Sequence, residues 1–272
     1  MELKATRYEV DPRGVATLWL HRPHRRNAWT GRMHAEYRWI FAELEADPAV
    51  RVVVVTGSDG AFCVGGDSEA LAGHAERGSY DAGLPIEVAT PGHGVRPELD
   101  HDFAWQWGLR FPVIAAVNGA CAGVGLSLAC FCDLRFGAAG AKLTTASPKL
   151  GLPAEYGISW VLPRLVGVTH AADLLLSGRV VLAEEAGAMG LFNAVVPAEE
   201  LAATVGAYAL RLATEVSPAS LTATKRQLYD DLLHGDVGAS VERSKTLLNE
   251  MMAGADYREG VAALREKRPP RF

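Results

Sequence analysis

Two glycine-flanked segments carry residue types and spacing that could do chemistry: Ala61-Phe62-Cys63-Val64-Gly65-Gly66-Asp67 and Ala116-Val117-Asn118-Gly119-Ala120-Cys121-Ala122-Gly123-Val124-Gly125. Each follows an apolar, strand-like run. Glycine lets a backbone approach a bound atom closely and take up angles closed to other residues, so two such loops can aim N–H groups at one carbonyl oxygen. The chemistry this implies is stabilisation of an enolate. Gly66 stands just before Asp67 and Ser68, where a short helix is expected to begin, so its N–H would lie at the positive end of that helix. A second reading of Gly123 and Gly125 is close packing of a helix on a strand.

Other chemistries are excluded by what the chain lacks. Gly123-Val124-Gly125 has no third glycine at dinucleotide-binding spacing, and no Gly-Lys-Ser or Gly-Lys-Thr follows. A Gly-x-Ser-x-Gly nucleophile elbow is missing too. No histidine pair sits at i, i+4 with a carboxylate in metal-site spacing, so no metal is expected; His74, His93 and His101 do not suggest one. The 27 basic residues are dispersed over a chain of net charge −5, which speaks against nucleic acid as a partner. No segment is long and apolar enough to suggest a membrane, and the C-terminal Arg271-Phe272 does not match a Ser-Lys-Leu address, so the expected location is cytoplasmic. Cys63, Cys121, Cys130 and Cys132 lack C-x-x-C pairing and read as reduced, buried thiols.

The elements that must position the glycine segments can be read from periodicity. Residues 14 to 21 alternate around Val15, Thr17 and Trp19, then meet Arg22-Pro23, which predicts a strand leaving a sheet. Met33, Tyr37, Ile40, Phe41 and Leu44 recur at helical spacing over 31–46, and Asp47-Pro48 ends the run. A buried strand over 50–56 delivers the first segment. A strand over 113–118 and a helix over 124–131 frame the second, and the repeated order predicts an α/β architecture. Over 199–214, 218–233, 238–252 and 256–266 the apolar spacing is mixed. Residues 73–98 show little periodicity and are expected to form a lid, a mobile insertion or a plain surface excursion.

In this order the two segments, preceded by Arg22-Pro23-His24-Arg25-Arg26-Asn27-Ala28 and followed by Cys132-Asp133-Leu134-Arg135, Leu150-Gly151-Leu152, Leu162-Pro163-Arg164-Leu165-Val166-Gly167 and Ser177-Gly178-Arg179, resemble the enoyl-CoA hydratase/isomerase (crotonase) superfamily. The resemblance spans roughly residues 5 to 200. It implies a crotonase-like spiral of ββα units over 1–200 holding an acyl-CoA site, and a helical C-terminal region over 201–272 that packs subunits into a homotrimer or a dimer of trimers and forms part of a lid. The helices it implies there fall over 199–214, 218–233, 238–252 and 256–266. It implies no separate cofactor, since coenzyme A belongs to the substrate.

The resemblance also assigns residues. Val124 takes the second donor position, where the family more often has glycine, and only its backbone N–H is needed. Hydratases of the family carry two glutamates at positions that read Ser127 and Ser147 here; a serine hydroxyl can hold water but cannot exchange protons near neutral pH without its own base. Glu155, in Gly151-Leu152-Pro153-Ala154-Glu155-Tyr156-Gly157, matches the proton shuttle of the double-bond isomerases. Leu152, Pro153, Tyr156, Ile158 and Trp160 are expected to shield it from water; the alternative is an exposed glutamate capping the next helix. Arg22, His24, Arg25 and Arg26 would face the nucleotide portion of the thioester, with Ala28, Cys63, Asp67 and Ser68 among the substrate-binding positions. Asp67 also reads as a helix cap and Asp133 as a structural residue, while Lys225 and Arg226 are weaker candidates acting across a subunit boundary. The resulting expectation is a double-bond shift through an enolate held by Gly66 and Val124, with Glu155 as shuttle. Hydration of a 2-enoyl-CoA, another enolate reaction such as thioester hydrolysis, and a non-catalytic acyl-CoA-binding protein stand as alternatives.

Overall fold

In the computed structural model, which describes residues 1–78 and 99–272, the chain opens with an antiparallel hairpin, β1 (Thr6–Val10) and β2 (Val15–Leu20). Ala16, Leu18 and Leu20 point inward and alternate with half-buried Val15, Thr17 and Trp19, as the period-two pattern requires. α1 (Gly31–Ala46) is started by Thr30, whose hydroxyl accepts from Met33 N at 3.2 Å. Its apolar stripe of Met33, Tyr37, Ile40, Phe41 and Leu44 is buried.

Three strand–strand–helix turns follow. The first is β3 (Val52–Gly57), β4 (Ala61–Cys63) and α2 (Ser68–Arg77); the second is β5 (Val113–Val117), β6 (Ala120–Ala122) and α3 (Val124–Cys130). The third is β7 (Leu134–Ala138), β8 (Lys142–Thr144) and α4 (Ile158–Ser177). β9 (Val181–Leu182), α5 (Ala183–Ala188) and β10 (Ala194–Val196) complete the core, and α6 (Leu201–Glu215), α7 (Pro218–Leu233), α8 (Val237–Met252) and α9 (Ala255–Glu266) end the chain.

Each turn gives its first strand to one sheet and its second to another. The larger sheet runs β1-β2-β3-β5-β7-β10 and the smaller β4-β6-β8-β9, parallel except at β1 and β9. This is the expected α/β spiral of ββα units. β3 and β5 are the near-continuous apolar runs of strands covered on both faces, with Val52, Val53, Val55, Val113, Ile114 and Ala115 fully buried. The amide of Asn118 ties the two spiral turns together, donating to Gly57 O at 2.8 Å and accepting from Gly57 N at 3.2 Å.

Two expectations change. The glycine segments are not loops throughout: their first residues form β4 and β6, which at three residues each are too short to show alternation. The stretch 73–98 is helical as far as Arg77, and residues 79–98 lie outside the described residues.

The C-terminal helices fall within two residues of their predicted ranges. α7 is locked to the core by Lys225, which was expected, with Arg226, to act across a subunit boundary but is instead engaged within its own chain. Its ammonium donates to Gln106 O and Phe111 O, each at 2.8 Å, and to Asp133 Oδ2 at 2.7 Å. Asp133 also accepts from Tyr229 at 2.7 Å and from Val113 N at 2.6 Å, so it is structural as expected. Desolvating this charged pair is offset only because its lone pairs and protons are satisfied. All four cysteines are free and buried, and among the described residues no helix is long and apolar enough to cross a membrane.

Candidate active site

The two glycine segments meet because β4 and β6 pair in parallel, Ala61 with Ala120 and Cys63 with Cys121. Beyond β4 the chain makes a single parallel bridge to Trp29, which donates its N–H to Gly65 O at 2.8 Å and accepts from Asp67 N at 2.9 Å. In such a bridge the middle residue turns its own groups the other way, so the N–H of Gly66 faces away from Trp29. Val124 is the first residue of α3, and an N–H there has no acceptor within its helix. Among the described residues neither the Gly66 N–H nor the Val124 N–H has a backbone acceptor.

Glycine is required where these segments touch. Gly123 is required for its backbone angles, φ 50° and ψ −120°, since a β-carbon there would meet Gly65 Cα at an ordinary 3.8 Å. On Gly125 a β-carbon would fall 2.6 Å from Cys63 O and 2.7 Å from Cys63 Cβ. The close-packing reading of Gly125 is therefore correct, and it is compatible with the donor reading, because the packing seats the start of α3 against the first segment. Cys63 is fully buried, and burial pushes its thiol up to about 12, so it contributes shape rather than a nucleophile.

Glu155 is half-buried just before α4, and its Oε2 lies 3.2 Å from Ser147 Oγ. It does not cap the helix: Gly157 occupies the N-cap with φ 72°, and Glu155 contributes only its backbone carbonyl, to Ile158 N at 3.0 Å. Tyr156 and Ala146, next to Glu155 and Ser147, both hold positive φ, 52° and 61°. Non-glycine residues in that region carry strain, which persists where surrounding structure enforces it. Tyr156 packs edge-on to Phe103 at 5.5 Å, and Phe103 packs edge-on to Trp29 at 5.5 Å, so one aromatic chain links the glutamate segment to the partner of Gly66. Of the residues expected to shield Glu155, Ile158 is buried and Tyr156 and Trp160 are half-buried, while Leu152 and Pro153 face outward. Ser127 is buried in α3 with its hydroxyl 3.3 Å from Gly123 O.

Of the basic cluster, Arg22 and Arg25 are folded onto Asp67, while His24 is exposed. Arg22 Nη1 meets Asp67 Oδ2 at 2.8 Å, Arg25 Nη2 meets Oδ1 at 3.1 Å, and Asp67 also caps α2 by accepting from Glu69 N at 3.0 Å. Burial opposes the charge on Asp67, but the hydrogen bonds from Arg25, Arg22 and Glu69 N outweigh it and hold the carboxyl far below the usual range. Arg25 also reaches Ser68 Oγ at 3.2 Å. Ala28 is buried with both backbone groups engaged, its N–H to Arg25 O and its C=O to Arg22 Nη1. Arg26 is exposed, with left-handed φ of 49°.

Among the described residues there is no cluster of three groups able to hold a metal ion. Three residues escaped the sequence reading. Trp29 and Phe103 have no local signal beyond being aromatic. Asn27 is a buried amide that donates to Ser58 O and Ala61 O and accepts from Arg22 N, a role only tertiary contacts reveal.

Comparison with known proteins adds an independent line. The model of the family described as enoyl-CoA hydratase/isomerase matches residues 11–272. A protein of Escherichia coli (strain K12) named "1,2-epoxyphenylacetyl-CoA isomerase" is 34% identical over 262 residues, covering 96% of this chain and 95% of that protein. A Rhodobacter capsulatus protein named "Probable enoyl-CoA hydratase" is 34% identical over 272 residues, covering 100% and 99%. The crystal structure of a "probable enoyl-CoA hydratase/isomerase" from Mycobacterium abscessus superposes with a TM-score of 0.85 at 33% identity, covering 98% of each chain.

Proposed function

The chain belongs to the enoyl-CoA hydratase/isomerase family, and from that premise we propose that it moves a carbon–carbon double bond within an enoyl-CoA thioester. The thioester oxygen is held by the N–H groups of Gly66 and Val124, which acidifies the carbon between the carbonyl and a β,γ double bond. Glu155 removes the α proton, the dienolate forms, and the same carboxylate returns the proton at the γ carbon, giving the α,β-unsaturated product. No water and no second acid is consumed.

The observation that carries this reading is the Glu155–Ser147 hydrogen bond: of the three acid/base positions, the two read by the hydratase pattern hold serines, and the one carboxylate has a serine for its partner. Hydration of a 2-enoyl-CoA is the second reading, favoured by the same hydroxyl, which is placed to orient a water beside Glu155. The exposed apolar residues Val237, Leu248 and Leu264 of α8 and α9 support self-association into a trimer or paired trimers, read by sedimentation.

Matched 2-enoyl-CoA and 3-enoyl-CoA substrates in deuterated water test the proposal. Migration of the double bond of the 3-enoyl-CoA is expected, with solvent deuterium entering the product at the γ carbon to the extent that the Glu155 carboxyl exchanges, and Glu155→Gln lowers it by about 10²- to 10⁴-fold. Water addition without migration establishes the hydratase instead. Binding of the thioester with neither double-bond migration, water addition nor exchange in the wild type establishes a non-catalytic acyl-CoA-binding protein.

A further inference from the structure

Asp67 sits beside the Gly66 donor with a side chain only 4% exposed, and two arginines from the turn at residues 22–26 converge on it. Arg22 turns Nη1 inward, to Asp67 Oδ2 and Ala28 O, and its side chain is 19% exposed. Arg25 is different. Its Nε and Nη2 face Asp67, Ser68 and Glu69, its side chain is 33% exposed, and among the described hydrogen bonds its Nη1 donates to none. The planar guanidinium can therefore hold the carboxylate on one edge and an outside anion on the other, a bridging geometry that a lysine cannot copy. Exposed Arg26 adjoins it.

We propose that Arg25 is a positioning residue that relays binding of a nucleotide phosphate to the first oxyanion loop. A phosphate on the outer edge of Arg25 and on Arg26 immobilises the guanidinium. The fixed guanidinium holds Asp67, and Asp67 holds the start of α2 and, through Asp67 N to Trp29 O, the bridge that aims Gly66. Binding energy at the remote end of the ligand then appears in kcat and not only in KM. Ordering supplies the coupling, so no rearrangement is required. The inference rests on the function proposed above for its kinetic form, but its structural form does not.

Two readouts test it separately. The first is hydrogen exchange of the segment covering residues 64–72, with and without adenosine 3′,5′-bisphosphate. About tenfold slower exchange is expected in the wild type and no change in Arg25→Ala, with Arg25→Lys close to Arg25→Ala. Equal exchange with and without the nucleotide, or equal slowing in Arg25→Ala, overturns the relay. The second is kcat on enoyl thioesters of coenzyme A, dephospho-coenzyme A and pantetheine. In the wild type kcat falls along that series and added bisphosphate restores it for the pantetheine thioester; in Arg25→Ala kcat is flat. If KM alone changes along the series, the relay fails while the enzymatic reading stands. Protected exchange with no turnover of any thioester has the opposite meaning.

Discussion

Gly125→Ala tests whether the contact between the two glycine segments sets catalysis or only packing. The new methyl would lie 2.6 Å from Cys63 O, 2.7 Å from Cys63 Cβ and 3.0 Å from Cys63 Sγ. Reaching an ordinary contact of about 3.5 Å requires the start of α3 and the end of β4 to part by roughly 1 Å. Two of the three colliding atoms are backbone or β-carbon, so no rotamer change relieves them. Overpacking of that size costs about 1–3 kcal/mol of stability. If the segments aim two donors at one oxygen as proposed, a misplacement of about 1 Å costs on the order of 10²-fold in rate. Urea denaturation reads the first number, and α-proton exchange of a thioester in deuterated water reads the second. Adding Cys63→Ala removes only the sulfur contact and is expected to leave both losses in place. A variant that loses stability yet exchanges the α proton at the wild-type rate refutes the reasoning, because the contact would then be packing alone.

Three further outcomes follow from buried groups. Lys225→Met strands Asp133 beneath α7 and is expected to cost about 3–5 kcal/mol in denaturant unfolding, with Tyr229 unable to replace the lost charge. Glu36 is fully buried; burial opposes its charge, but hydrogen bonds from Arg32, Lys4 N, Ala5 N and Thr6 outweigh that and lower its carboxyl below the usual range. A lowered folded value means its contribution is complete above the unfolded value of about 4.3 and is lost as pH falls through the folded one, so acid unfolding curves of Glu36→Gln should be flatter there than those of the wild type. Burial raises all four thiols, Cys63 and Cys130 to about 12, so iodoacetamide at mild alkaline pH should label none of them in the native protein and all of them in denaturant.

What could be read from the sequence divides by the range of the forces involved. α1 was legible because its apolar spacing and its Asp47-Pro48 stop are local, whereas the four C-terminal helices, with mixed apolar spacing, followed from the family resemblance; the caps at Thr30 and Ser217 emerge only in the structure. β4 and β6 were hidden because three-residue strands are defined by their partners rather than by their own pattern. The outward-facing Leu152 and Pro153 show the same limit at the site: an apolar residue near a carboxylate in sequence need not cover it in space. Asp67 was legible as a cap, whereas the two arginines closing on it come from a turn about forty residues earlier and depend on the Trp29 bridge.

In the proposed mechanism the hydroxyl of Ser147 sets how Glu155 works. Its oxygen lies 3.2 Å from Glu155 Oε2 and 3.3 Å from Thr145 O, and a single proton serves one acceptor at a time. When Glu155 is ionised the hydroxyl donates to it; when Glu155 carries the abstracted proton, the hydroxyl can turn to Thr145 O and accept from the acid. Both states keep their hydrogen bonds without moving heavy atoms, which suits a group that must take a proton and give it back. An arginine in that place would favour only the ionised state. Ser147→Ala is therefore expected to lower double-bond migration roughly 10- to 100-fold, the worth of one hydrogen bond to a charged acceptor. In Glu155→Gln the shuttle is already gone, so adding Ser147→Ala should cost little more. Losses that multiply in the double variant would mean the serine acts independently of the glutamate, as a water-orienting group would, and the single-carboxylate shuttle would have to be abandoned.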